Sequence, residues 1–111
     1  MARFLAIWKQ NPMAPFPTDP SEAAKLNQMM FVGIDELMKK GEILDFGMFP
    51  NGTTGYAISK GEAADVFRRT NMFQPYFLFE VHEIVPYAQA KGIMKEIYKM
   101  RIDQAKLGYS I

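Results

Sequence analysis

The chain of 111 residues contains no cysteine, one histidine and one tryptophan. Without cysteine there can be no disulfide, no thiolate nucleophile and no thiolate ligand for a metal. That composition fits a reducing compartment. A lone histidine, His82, is too few for an imidazole-built metal centre, so no metal is expected. Excess charge is also lacking: 13 basic residues offset 12 acidic ones, and the net charge is +1. With no polybasic patch, nucleic acid and anionic membrane are not expected as partners. The basic pair Arg68-Arg69 on a predicted helix reads as a solvated helix end. No apolar run reaches the ~18 residues of a membrane span, and the opening run is short for a signal peptide. A soluble, cytoplasmic protein is the expectation. A Gly-rich phosphate loop is missing too, because Asn51-Gly-Thr-Thr-Gly55 is hairpin-turn chemistry. No pattern asks for a cofactor.

What the chain does have is apolar material: 49% hydrophobic residues, 14% aromatic residues and nine methionines. A length of 111 residues predicts one domain over 1–111. One small sheet rarely hides so much apolar surface alone, so part of it should end in an interface or a cavity.

Local patterns set the element order. Arg3 to Lys9 alternates as a first strand, with Leu5 and Ile7 opposite Phe4, Ala6 and Trp8. Three prolines make residues 10–19 a stiff loop. Its apolar side chains, Met13 and Phe16, should plug the end of the core or serve as a lid over a ligand. Asp19-Pro20 with Glu22 opens an amphipathic helix that closes at Lys39-Lys40-Gly41. Glu42 to Phe49 and Tyr56 to Ser59 form two strands joined through the turn at Asn51-Gly52. Ser59 and Glu62 read as a capping box for a short second helix, with Asn71 as its left-handed cap. The densest β-branched and aromatic stretch follows, from Phe73 to Pro86, and then a third helix with Ile93, Ile97 and Met100 about a turn apart.

The order β-α-β-β-α-β-α predicts an α+β, ferredoxin-like βαββαβ fold with an extra C-terminal helix. Its four-stranded antiparallel sheet has strand order 4-1-3-2, with helices on one face. Phe77, Phe79 and Val81 go beneath the helices; Tyr76, Leu78 and Ile84, with Phe4 and Trp8, are expected on the open face. Such an apolar face predicts a two-fold dimer whose sheets meet as a dimeric α/β barrel.

The segment Met72-Phe-Gln-Pro-Tyr-Phe-Leu-Phe-Glu-Val-His-Glu-Ile-Val85 resembles the last strand of muconolactone isomerase-like proteins of the dimeric α/β-barrel superfamily. The resemblance implies that fold, a homodimer or higher oligomer, and proton-transfer isomerisation without a cofactor. It carries over no catalytic residue.

Candidate residues come from the strand itself. Glu80 and His82 project from the same side, with Cβ atoms about 7 Å apart. Asp45, from the second strand, is expected on that side as well. An imidazole with carboxylate support can move a proton, so His82 is the candidate acid/base, with Glu80 or Asp45 assisting. The competing reading has His82 and Glu80 bonding across a dimer or at a wet sheet end. Trp8, Tyr56, Tyr76 and Phe16 could line a pocket for a small apolar or aromatic molecule on the open face, or simply pack an interface. Two functions follow: a small-molecule-binding dimer, with isomerase chemistry as one form of it, or a non-catalytic assembly module.

Overall fold

The computed structural model describes residues 2–108. Strand β1 (Arg3–Gln10) is followed by helix α1 (Pro20–Lys39), strands β2 (Ile43–Met48) and β3 (Thr54–Lys60), helix α2 (Ala63–Asn71), strand β4 (Phe77–Ile84) and helix α3 (Tyr87–Lys106). The strands form one antiparallel sheet in the order β2-β3-β1-β4. This is the expected 4-1-3-2 order, and it is compatible with a ferredoxin-like arrangement.

Local chemistry explains the boundaries. Asp19 caps α1 by accepting a bond from the Glu22 amide at 3.0 Å, which satisfies an amide that has no partner within the helix. Gly41 ends the helix with φ +74°, a conformation open to glycine without a Cβ penalty. In the β2–β3 turn, the Asn51 side-chain oxygen accepts from the Thr53 and Thr54 amides at 3.0 and 3.2 Å.

The helix start after β3 differs from expectation. Ser59 is a strand residue, buried between Phe4 on β1 and Ile43 on β2. Glu62 is the N-cap of α2, and its amide donates to the Asp65 carboxylate at 3.1 Å. Pairing on both sides holds Ser59 in the sheet, so the chain turns only at Gly61. Nor is Asn71 left-handed: α2 runs through it to a right-handed cap at Met72.

Register decides which side chains share a face. Trp8 stands between Gly55 and Phe79, Ala6 between Ala57 and Val81, and Phe4 between Ser59 and Glu83. This row faces α1 and α2, and Phe4, Ala6, Trp8, Leu37, Ile43, Ala57 and Val66 form the buried core. Phe4 and Trp8 therefore lie under the helices, not on the open face. Alternation sends Leu5, Ile7, Tyr56, Ile58, Leu78, Glu80 and His82 to the other side. Two glycines fit this pattern. A Cβ on Gly55 would run into the Trp8 indole and the Gly47 carbonyl, and one on Gly47 into the Tyr56 ring. Each glycine lets an aromatic ring lie flat on the neighbouring strand.

Tyr76 precedes β4 and stacks at a tilt on Phe16, with ring centroids 5.2 Å apart. The proline-rich loop is tied to that point, since Asn11 bonds the carbonyls of Pro75 and Tyr76. Met13 does not plug the core; it is 89% exposed. Helix α3 has no buried residue, although Tyr98, Met100 and Ile102 are apolar and more than half exposed. The molecule extends over 70 × 29 × 25 Å with a radius of gyration of 20.1 Å. A compact chain of this length has a radius of about 13 Å. No helix among the described residues is long and apolar enough to cross a membrane.

Candidate functional site

Two arrangements of side chains stand on opposite sides of the sheet. On the open face, the two-residue spacing along β4 puts His82 and Glu80 on the same side, with Nε2 and Oε1 3.3 Å apart. Both side chains are more than half exposed. Asp45 shares the face but does not join them. Its row runs Asp45–Ile58–Leu5–His82 across all four strands. Three strand spacings put about 14 Å between the two backbones. Asp45 is instead the partner of Tyr56, whose hydroxyl donates to Oδ2 at 2.7 Å. That hydrogen bond, with smaller contributions from burial and from the carboxylate's charge, holds the Tyr56 hydroxyl above its ordinary pKa, because the bond favours the protonated phenol. The open face thus carries two separate polar pairs among apolar Leu5, Ile7, Ile58 and Leu78. Near Glu80 it has an open depression edged by Ile7, Lys9, Thr54 and Leu78.

A second, more apolar concavity lies beneath the helices. Trp8, Phe46, Phe77 and Phe79 floor it from the sheet, and Ile34 and Val66 roof it from α1 and α2. Its free space is about 100 Å³. Trp8 stacks on Phe46 at a centroid distance of 5.7 Å and meets Phe77 edge-on at 5.5 Å. The expected aromatic set is therefore split. Trp8 lines the helix-side cleft, Tyr56 lies on the open face, and Tyr76 and Phe16 pair at the base of the proline-rich loop.

The sequence reading missed Arg69. Its neighbour Arg68 is the solvated residue, with a side chain 74% exposed beside Asp65. Arg69 has a side chain only 11% exposed and lines the cleft. Its Nη2 donates to the Lys60 carbonyl at 2.7 Å, and Nη1 stands 3.7 Å from Glu42 Oε2. The missed signal is positional: Arg69 follows inward-facing Val66 by three residues, which places both on one helix face. Among the described residues no cluster of three or more His, Asp or Glu side chains could hold a metal ion.

No model of a known protein family matches the chain. A comparison with curated proteins also returns no match.

Proposed function

We propose that the chain is a small-molecule-binding protein and that the ligand sits in the cleft between the sheet and helices α1 and α2. The observation that supports this reading is the cleft itself, an aromatic and aliphatic concavity with few polar groups, the usual character of a ligand site. The only tryptophan lines it, so tryptophan emission reports on its contents directly. Titration with 1-octanol, a neutral apolar probe, should shift Trp8 emission saturably in the wild type. Ala57→Leu, which adds a branched side chain to the cleft floor, should abolish that shift. An unchanged shift in the variant, or none in the wild type, removes the cleft as the binding site.

A second reading is carried by the shape. The accessible surface is 8273 Å², against about 6,200 Å² for a compact monomer of this mass. The excess, roughly 2,000 Å², lies in the range that each subunit of an obligate homodimer hides. We propose a second copy of this chain as the cover for α3 and the apolar open face. His82 and Glu80 would then be enclosed between two sheets, where water is scarce and a proton can pass between imidazole and substrate carbon. Isomerase chemistry of the kind the strand resemblance implies belongs to that enclosed face. Its test is proton exchange from D2O into a β,γ-unsaturated lactone during conjugation of the double bond. Exchange that survives in His82→Ala would remove the histidine from the reaction.

A further inference from the structure

The polar groups of the helix-side cleft specify more than an apolar occupant. Three buried side-chain atoms have no hydrogen-bond partner among the described residues, and two of them, Trp8 Nε1 and Arg69 Nε, belong to residues lining this cleft. Both are donors only. Leaving a buried donor unpartnered is unfavourable, most of all for a charged group, so an acceptor supplied from outside would relieve Arg69 Nε.

The surroundings define that acceptor. Among the described residues Arg69 is the only ionisable one of the lining, and no aspartate or glutamate contributes to it. Glu42 approaches from outside the cleft, at 3.7 Å from Nη1, and its own side chain is 43% exposed. The guanidinium is held by the Lys60 carbonyl at Nη2, which leaves Nε as the donor without a partner. Trp8 itself is 4% exposed. A positive, pre-positioned donor group at the edge of an apolar concavity fits a molecule with an apolar body and one anionic oxygen head.

We propose that the cleft takes an apolar monocarboxylate, its body against Trp8, Phe46 and Phe77 and its carboxylate on the Arg69 guanidinium. This rests on the reading of the cleft as a binding site, and it adds the chemical class of the ligand.

The test compares two probes of equal length, octanoate and octanamide, at neutral pH, where only the first is charged. Binding is followed by Trp8 emission. Octanoate is expected to bind about tenfold more tightly, as a charge-assisted hydrogen bond warrants. Arg69→Met should bring octanoate down to the affinity of octanamide. Arg69→Gln, which keeps an amide donor for the Lys60 carbonyl, serves the same purpose if the methionine variant does not fold. Equal affinities in the wild type would overturn the carboxylate assignment and leave the cleft as a site for neutral molecules. A preference for octanoate that survives both substitutions would overturn the role of Arg69. If neither probe shifts Trp8 emission, the cleft reading itself falls and the assignment goes with it.

Discussion

The substitution Ile93→Glu separates a chain that works alone from one that works as a dimer. Ile93 is on α3, 44% exposed, on a helix with no buried residue. In an isolated subunit, exchanging an exposed isoleucine for glutamate should change folding stability by no more than about 0.5 kcal/mol, and glutamate is a good helix former. In a dimer that covers α3 the same change removes apolar contact twice, once per subunit. Burying the exposed part of an isoleucine contributes roughly 1–2 kcal/mol. Two copies then lose about 2–4 kcal/mol, a dimer weaker by roughly thirty- to a thousandfold. Desolvating the two new carboxylates adds to that loss. Sedimentation equilibrium over micromolar concentrations reads the outcome. The wild type should run at twice the 12.7 kDa chain mass, and the variant should dissociate with its helical content intact. A wild type that stays at the monomer mass throughout this range would refute the dimer. A variant that dimerises as tightly as the wild type would refute the part assigned to α3.

Other perturbations test narrower points. Gly55→Ala drives a methyl into Trp8 and the Gly47 carbonyl and should cost about 1–3 kcal/mol or more, visible as a lower urea midpoint; a neutral result would show that β1 and β3 can separate there. Asp19→Ala removes the α1 cap and should cost about 1 kcal/mol, measured the same way. Tyr56 has a folded-state pKa above its unfolded one. The stability it contributes is therefore complete below pH ~10 and lost as the pH rises through the folded value. Asp45→Asn should lower the ionisation midpoint assigned to Tyr56 in an ultraviolet titration, and an unchanged midpoint would exclude Asp45 as the cause.

Features that depend on neighbours along the chain were legible without the structure. The Asp19 cap, the Gly41 stop, the Asn51-Gly52 turn and the placement of Glu80 and His82 on one side of β4 each involve residues within a few positions of one another. Local backbone geometry alone determines them. The order of strands followed as well, because few arrangements satisfy this succession of helices and strands.

Tertiary structure decided the questions of side. A strand's alternation says which residues share a face, but not which face meets the helices. Trp8 and Phe4 went beneath α1 and α2 because β1 pairs on both edges, placing them in rows with Ser59, Gly55 and Phe79. The same pairing set Asp45 a full sheet width from His82, so the expected trio became two pairs. Arg69 shows the limit most plainly. Beside Arg68 it reads as one more surface charge, and its place three residues after Val66 gives only its helix face; the packing of α2 over the sheet enclosed the guanidinium, with the Lys60 carbonyl to hold it. Sequence alone determined which segments form and the ends of α1, whereas the ends of α2 moved because pairing on both sides held Ser59 in the sheet. The sheet's register determined what stands opposite what, because hydrogen bonds between distant strands, and not neighbours in the chain, choose the company each side chain keeps.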